Sequence, residues 1–325
     1  MNDQGDAVVR SSMTLSQLIP VWEADVLARG RAARTIDQYH YSAARVAKEI
    51  GQLRIGECTV GRIDAFMQRV AASSGPAAAT MCRKVLSGMF VIAVRHGAVD
   101  NSPVHDLTPL PSSKRPVRAL TADEADRIVD ALRADEHAVL YDLPDPVEFM
   151  LGTECRIGEV LALRERACDL DAGTVEICAT AVRAKGAGMV IQERTKTASG
   201  WRVLAVPPYV VAMLRRRKDE LRFRSGEGVV FGSPLASTVR DQSNFSNQLR
   251  AALNRIDRPD GAEAGPFSWV TAHTFRKTVA TRLDDAGLSS RQIADQLGHA
   301  NPSMTTDVYM GRKVTVADAA RLLDR

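Results

Sequence analysis

Apolar residues recur at helical spacing along the first third of the chain, from residue 13 to about residue 97. Thr14 and Thr35 are each followed three residues later by glutamine, the capping-box pattern that predicts the start of a helix. The periodic pattern after Thr35 runs to Gly51, which predicts the end of that helix. Its apolar positions are Ile36, Tyr39, Ala43 and Val46.

Two further helices are predicted over Val60 to Ala72 and over Ala77 to Gly97. The second of these carries one apolar stripe, made of Met81, Val85, Met89 and Ile92. This region shows no alternating pattern of the kind that predicts strands. We therefore predict an all-helical domain over residues 13–106, preceded by a loose leader at residues 1–12.

A proline-rich segment, residues 107–118, follows this helical region. Three prolines and two serines in twelve residues do not sustain a helix. The segment is also basic, through Lys114, Arg115 and Arg118. Thr121 then opens another capping box, with apolar residues at helical spacing behind it. We therefore predict a linker over residues 107–118 and a second domain over residues 119–325.

The second domain is predicted to be mostly helical, with one group of strands. Three short runs have β-type composition, and glycine-containing turn segments separate them. The runs are Thr174 to Thr180, Gly188 to Glu193 and Trp201 to Val206. They predict a three-stranded antiparallel sheet, so the expected fold class is mainly α with a small antiparallel β-sheet.

Composition narrows the class of protein. The chain has 325 residues, 45% hydrophobic, with a formal net charge of +4, which fits a globular protein and excludes a wholly disordered one. Five cysteines without a CxxC pair argue against a disulfide scaffold or a structural zinc site. The N-terminus is polar, and no apolar run approaches the roughly 18 residues of a membrane helix. We therefore expect a cytoplasmic protein with no membrane partner.

Several common catalytic signatures are missing from the sequence. It has no phosphate-binding GxxxxGK[ST] loop, no GxGxxG and no GxSxG. The six histidines form no HExxH or similar ligand pair, so we predict no metal site. The candidates for chemistry that remain are dispersed Arg, Lys, His and Tyr residues.

Two pairs of polar residues stand at predicted helix starts. His273 and Arg276 project from one face of a helix, and two cations near its N-terminus indicate an anionic ligand such as phosphate. Arg156 lies where one helix stops and another begins, and Glu159, one turn later, is placed to orient its guanidinium. Taken singly, each pair also fits an ordinary structural role, a surface helix start or an ion pair at a helix corner.

Two further residues lie near the C-terminal end. Gly298 predicts the end of a helix, and His299 follows it in a tight corner before Asn301 and Pro302, which favour a new helix start. Tyr309 comes ten residues after His299. A single tyrosine here also fits a packing role.

In this order and spacing, the segments GTECRIGE, HTFR and LGH and the final Tyr309 resemble the tyrosine recombinase (phage integrase) family over nearly the whole chain. The resemblance implies a helical core-type DNA-binding domain followed by the α+β catalytic domain of that family. It departs from the family pattern at Glu154 and Cys155, where small or aliphatic residues are commoner.

The resemblance also implies a role for each site residue. Two arginines would clamp the scissile DNA phosphate, one histidine would act as acid or base, the other would donate a hydrogen bond, and the tyrosine would be the nucleophile. A lysine in the turn before the third predicted strand would protonate the leaving 5′-oxygen. Glu159 would support Arg156, and Lys185 is a weaker candidate for the lysine. The catalytic set is Arg156, Lys196, His273, Arg276, His299 and Tyr309.

Such a set can cleave a phosphodiester with neither metal nor ATP. The tyrosine must lose its proton as it attacks, and nearby cations favour that loss and stabilise the transition state. The expected product is a covalent 3′-phosphotyrosine, which keeps the free energy needed for rejoining. We therefore predict a site-specific DNA recombinase that uses no cofactor.

The family resemblance implies double-stranded DNA with specific recombination sites as the partner, a homotetramer on DNA, and accessory DNA-bending proteins as further candidates. The short leader leads us to expect no separate arm-site DNA-binding domain. A helix predicted over Thr315 to Leu323 would dock on a neighbouring protomer or pack on its own domain. Basic residues are the candidates for backbone contacts. They are Arg83, Lys84, Lys114, Arg115, Arg118 and the run from Arg215 to Lys218.

Two alternatives stay open at this point. A type IB topoisomerase uses a similar catalytic set, but the HxxR pair and the LGH segment favour a recombinase. A non-cleaving DNA-binding regulator of the same fold is the other alternative, and the complete set of catalytic residues argues against it.

Overall fold

A computed structural model gives the fold. It describes residues 9–30, 33–109, 118–184, 186–193, 201–220, 228–234, 238–258, 260 and 262–298, with no side chains described for residues 33 and 34. The chain forms two compact units, whose described parts are residues 9–109 and 118–298.

The first unit is helical throughout its described residues. Thr14 begins the first helix through a reciprocal capping box, in which its hydroxyl accepts the N–H of Gln17 at 3.3 Å and its own N–H donates to the Gln17 side chain at 2.9 Å. Pro76 occupies the first position of the fourth helix, where its missing N–H costs nothing. The helices are α1 Leu15–Ala28, α2 Ala33–Ile50, α3 Val60–Ser74 and α4 Pro76–Arg95.

The predicted start of α2 at Thr35 is wrong, because the described helix already includes Ala33 and Arg34. Ala33 and Arg34 both have high helix propensity, so the helix extends before the threonine. A threonine–glutamine pair at this spacing therefore lies inside the first turns rather than at the cap. The end of the helix at Ile50, directly before Gly51, agrees with the prediction.

The inward faces of these helices form the core of the first unit. Met89 and Val85 of the predicted α4 stripe are fully buried, and Trp22 of α1 packs against Gly88 so closely that a Cβ there would overlap the indole. Leu107, at the start of the predicted linker, is also buried in this core.

Helix α4 corrects one expectation from the sequence. Alone among the described helices, it is long and apolar enough to meet a membrane-span criterion, whereas we predicted that no segment would. Its inward face, which includes Val85, Leu86 and Met89, lies in the core of the first unit and accounts for much of its apolar composition, whereas Val91 and Val94 are exposed.

The second unit combines helices with short strands. Thr121 caps its first helix through a capping box with Glu124, as predicted. The helices in its described part are α5 Ala122–Ala134, α6 Glu136–Leu140, α7 Pro144–Thr153, α8 Ile157–Val160, α9 Pro208–Asp219, α10 Gln242–Arg255, α11 Ala272–Asp285 and α12 Ser290–Leu297. The strands are β1 Cys168–Asp169, β2 Thr174–Ile177, β3 Ala179–Ala184, β4 Gly188–Glu193 and β5 Arg202–Ala205.

The strands form two antiparallel sheets, not the single three-stranded sheet that we predicted. β1, β2 and β5 make one sheet with β2 in the centre, and β3 pairs with β4 in the other. The predicted run Thr174 to Thr180 breaks at Cys178, and each part joins a different sheet. Buried positions alternate without interruption from Val175 to Ala181, so the period-two pattern gives no sign of this break. The mainly helical fold class with small antiparallel sheets is confirmed.

A buried ion cluster beneath α9 corrects the expected role of the Arg215–Lys218 run. Arg217 is only 1% exposed, and it donates hydrogen bonds of 2.7–2.8 Å to the carboxylates of Asp142 and Asp145. Its guanidinium also lies 4.8 Å from the Phe231 ring centroid. Because this arginine is enclosed in the core, it cannot reach a DNA phosphate.

The other members of that run form ion pairs within the unit. Arg215 pairs with Asp171 at 3.2 Å, Arg216 with Asp145 at 2.6 Å and Lys218 with Glu165 at 3.5 Å. These three side chains are 46–57% exposed, and exposed ion pairs contribute little, so Arg217 is the member of the run that the fold withdraws from the surface.

Candidate active site

The sharp corner between α7 and α8 positions Arg156. Glu154 ends α7 in the left-handed conformation, with φ of 60°, and Arg156 takes an extended conformation as the N-cap of α8. Glu159 binds the arginine twice: one carboxylate oxygen accepts its backbone N–H and the other accepts Nη1, both at 3.0 Å. The local turn therefore fixes both the backbone and the guanidinium of Arg156.

Arg276, in the second turn of α11, reaches the same place from a distant part of the sequence. Its side chain is buried, and its Nη1 and Nη2 donate to the carbonyl oxygens of Glu154 and Leu297, both at 2.5 Å. Arg156 Nη1 donates to that Leu297 oxygen as well, at 3.4 Å. The two guanidiniums thus meet at the last carbonyl of α12.

A third guanidinium, from Arg202 at the start of β5, lies at the same helix end. Arg202 Nε donates to the carbonyl oxygen of Gln296, and Nη2 donates to Glu159, both at 2.9 Å. Sequence reasoning missed this residue. The available signal was an inverted polarity: Arg202 faces inward with Leu204, while the apolar residues Trp201, just before β5, and Val203 face solvent.

His273 lies one turn before Arg276 on α11, and its ring reaches solvent. Partial burial lowers the pKa of His273 below its ordinary value of 6.5, and the positive charges of Arg276, Arg156 and Lys277 lower it further. The imidazole is therefore in the field of both arginines, and its neutral form predominates at neutral pH. Arg156, His273 and Arg276 form one cluster.

Two buried carboxyls flank Arg156 and ionise differently. Burial raises the pKa of Glu159, but Arg202 and Arg156 outweigh that effect and bring the pKa to about 2. Burial raises the pKa of Glu154 to about 8, and the nearby Arg276 and Arg202 only partly oppose the rise. Among the residues that the structure describes, none donates a hydrogen bond to either carboxyl oxygen of Glu154. Glu159 is thus an anion at neutral pH, while Glu154 is mostly neutral.

Three of the six predicted catalytic residues lie outside the described residues. They are Lys196, His299 and Tyr309, and the weaker candidate Lys185 is also outside. The described chain reaches Gly298, which ends α12 with φ of 64° as predicted, one residue before His299.

The basic residues predicted to contact DNA have different environments. Lys84 is exposed on α4, and Arg83 donates to the Val104 carbonyl oxygen at 3.4 Å. Arg118 makes a bidentate pair with Glu124 at 2.6–2.7 Å, and it lies 4.3 Å from the Trp269 ring centroid. The other two candidates, Lys114 and Arg115, lie outside the described residues.

Within the described ranges, no three His, Cys, Asp or Glu side chains come together as a metal site would require. The predicted independence from metal stays a prediction.

Comparison with known proteins bears on the family. The Phage integrase family model matches residues 118–314. The integrase of Mycobacterium phage D29 is 23% identical over 313 residues, covering 96% of this chain and 78% of that protein. Tyrosine recombinase XerD of Mycobacterium tuberculosis (strain ATCC 25618 / H37Rv) is 25% identical over 297 residues, covering 87% of this chain and 88% of that one.

Two solved structures share the fold. The Tn1549 transposon integrase in complex with transposon right end DNA superposes with a TM-score of 0.82 at 19% identity, covering 95% of this chain and 99% of that one. A lambda integrase dimer bound to a core site gives a TM-score of 0.67 at 20% identity, covering 94% and 79%. Since the family match spans more than half of the sequence, the chain belongs to the tyrosine recombinase (phage integrase) family.

Proposed function

We propose that this recombinase cleaves and rejoins DNA at specific sites through a covalent 3′-phosphotyrosine at Tyr309, without metal or ATP. The observation that carries the proposal is the convergence of Arg156 and Arg276 on one carbonyl oxygen, with His273 beside them. Arg156 and Arg276 come from separate helices, and two permanent positive charges brought together suit a phosphodiester.

In this scheme the two arginines bind the non-bridging oxygens of the scissile phosphate. A guanidinium is planar and always charged, so it can hold two oxygens and stabilise the charge that develops on them in the transition state. Arg156 is 37% exposed at its side chain, while Arg276 is buried. Arg156 is therefore the more accessible of the two to incoming DNA.

The remaining steps transfer protons. The Tyr309 phenol has an ordinary pKa near 10 and gives up its proton as it attacks phosphorus. His273, with its lowered pKa, is a neutral acceptor near the arginines. In the scheme Lys196 protonates the leaving 5′-oxygen and His299 donates a hydrogen bond to the phosphate. Rejoining reverses these steps, with a DNA hydroxyl displacing the tyrosine.

The DNA partner and the assembly rest on similarity. The matched Tn1549 and lambda integrase structures contain DNA, and one lambda integrase structure is a tetramer on a Holliday junction. We infer that this chain binds double-stranded recombination sites and acts as a tetramer there. Exposed Lys84 is the best placed of the described candidates for a backbone contact. Accessory DNA-bending proteins and a cytoplasmic location stay predictions from the sequence.

Capture of the covalent intermediate tests the proposal. The protein is mixed with a pool of duplexes of random central sequence, each nicked so that the short fragment diffuses away after cleavage. DNA that stays attached after boiling in sodium dodecyl sulfate is recovered and sequenced. We expect one family of sequences. Adducts without sequence preference would indicate topoisomerase-like relaxation, and binding without adducts would indicate a non-cleaving regulator.

A further inference from the structure

Arg202 occupies a position where the strand pattern calls for an apolar residue. It is 8% exposed and faces the interior, while its neighbours Trp201 and Val203 are 55% and 54% exposed. A buried guanidinium is costly unless charged and polar groups surround it. Burying Arg202 while its apolar neighbours are exposed carries this cost. The groups that Arg202 contacts therefore indicate its role.

Those partners belong to the phosphate-binding cluster. Arg202 Nη2 donates to the same Glu159 oxygen that accepts the backbone N–H of Arg156. Nε donates to the Gln296 carbonyl oxygen, next to the Leu297 carbonyl that Arg156 and Arg276 share. Arg202 therefore joins strand β5 to the carboxylate that holds Arg156 and to the last turn of α12.

The contact between Arg202 and Glu159 changes the net charge of the site. If Glu159 were paired with Arg156 alone, the two groups would have no net charge to attract the phosphate. With Arg202 on the other side, one negative charge is shared between two positive ones, so the three groups keep a net charge of +1. Arg276 raises the total to +2, and Glu154 is mostly neutral at neutral pH because burial raises its pKa to about 8.

We propose that Arg202 is a positioning residue of the phosphate site, which offsets the charge of Glu159 so that the site keeps a net positive charge toward the scissile phosphate, and which fixes the last turn of α12 ahead of His299. This role rests on the proposed function. Arg202 acts through Glu159 and through the helix end, and the scheme gives it no contact with DNA.

The test compares two substrates made from the recovered duplex. One keeps its scissile phosphodiester, and the other carries an uncharged methylphosphonate there. Single-turnover adduct formation is measured on both, and the ratio of the two rates reports how much the site depends on its positive charge. Arg202→Gln removes the charge but keeps an amide N–H, whereas Arg202→Lys keeps the charge.

For Arg202→Gln we expect the ratio of phosphodiester to methylphosphonate rates to fall by roughly 10- to 100-fold, the size of coupling between neighbouring charges. Arg202→Lys should keep the wild-type ratio even where its absolute rate is lower. The loss caused by Arg202→Gln should shrink when Glu159→Gln is also present, because no carboxylate then needs to be offset. Arg127→Met removes an exposed arginine that pairs with Asp257, and it should change neither rate.

An equal loss on both substrates, or no loss, would overturn the proposal, because a purely structural ion pair does not distinguish the charge of the substrate. Should Arg202→Gln fail to fold, a reduced ratio for Arg202→Lys would overturn it as well. A wild-type protein that forms no adduct would overturn the proposed function itself, together with this role. The two failures are therefore distinguishable.

Discussion

Glu154 and Glu159 lie on either side of Arg156 and are both buried, but at neutral pH Glu159 is ionised and Glu154 is mostly protonated. Arg202 and Arg156 donate hydrogen bonds to Glu159, and its pKa is about 2. No described residue donates to the Glu154 side chain, and burial raises its pKa to about 8. The same corner of the fold thus provides one anion and one neutral acid next to a cationic site.

The first prediction concerns Glu154 and the pH dependence of stability. Its pKa rises from an ordinary 4.5 to about 8 on folding, so the folded state binds the proton more tightly. The contribution of Glu154 to stability is complete below pH 4.5 and is lost as pH rises toward 8, at no more than about 1.4 kcal/mol per pH unit. Glu154→Gln cannot ionise and should remove this fall. Urea unfolding of both proteins between pH 5 and pH 9 measures the free energy of unfolding as a function of pH.

Other shifted groups also affect stability, and the comparison of wild type with Glu154→Gln separates their effects from that of Glu154. Stability that depends on Glu159 is lost only as pH falls from 4.5 toward 2, because its pKa is lowered. Because the pKa of His273 is lowered, its contribution to stability rises with pH up to about 6.5. This contribution is the same in the wild type and in Glu154→Gln. Parallel curves for the two proteins would contradict a neutral Glu154.

The second prediction identifies the nucleophile. Tyr309→Phe removes only the phenolic oxygen, so adduct formation should be lost while DNA binding remains. Adducts are measured on denaturing gels and binding by gel shift on the recovered duplex. An adduct formed by the phenylalanine variant would move the nucleophile to another residue.

Helix starts were predicted best, because a capping box is a local signal. Thr14 and Thr121 each cap a helix through contacts within four residues of chain, and both predictions are confirmed. Thr35 shows the limit of the same rule, since the described helix already includes Ala33 and Arg34, two good helix formers ahead of it. The partners of a strand depend on residues far away in the sequence. The break at Cys178 could not be predicted, because buried and partly buried positions alternate through it without interruption.

Buried arginines were the main failure of sequence reasoning. Arg217 was grouped with a surface run and Arg202 was passed over, yet both lie in the interior against carboxylates. Their partners are far away in the sequence, so spacing cannot reveal them. Arg156, His273 and Arg276 were singled out by their places at predicted helix starts, and the family resemblance supplied their roles. The structure brings these three together.

The third prediction concerns metal. If Arg156, Arg276 and the other cations stabilise the transition state, a chelator such as EDTA should leave the rate of adduct formation unchanged. The control is a metal-dependent restriction nuclease on the same DNA, which the chelator must stop. Loss of adducts that magnesium restores would refute the metal-independent scheme.

The fourth prediction tests the buried cluster around Arg217 as a source of stability. Asp142 accepts both Nη atoms of Arg217 at 2.7–2.8 Å, and it adopts a left-handed backbone with φ of 47°. Asn tolerates that conformation, so Asp142→Asn removes the charge without adding strain. Among the described residues, Asp145 would then be the one carboxylate bonded to Arg217, and Arg216 also pairs with it. We expect a loss of about 3 kcal/mol in the free energy of unfolding.

Asp171→Asn is the matched control, because its fully exposed carboxylate pairs with Arg215 at the surface. Exposed pairs contribute little, so the control should lose less than about 1 kcal/mol. Urea unfolding of both variants gives the difference, and gel shift on the recovered duplex measures DNA binding. Arg217 is enclosed in the core, so Asp142→Asn should leave the DNA affinity of the folded protein unchanged. A loss of affinity at temperatures where the variant is fully folded would mean that this cluster supports the DNA-binding surface as well as the core.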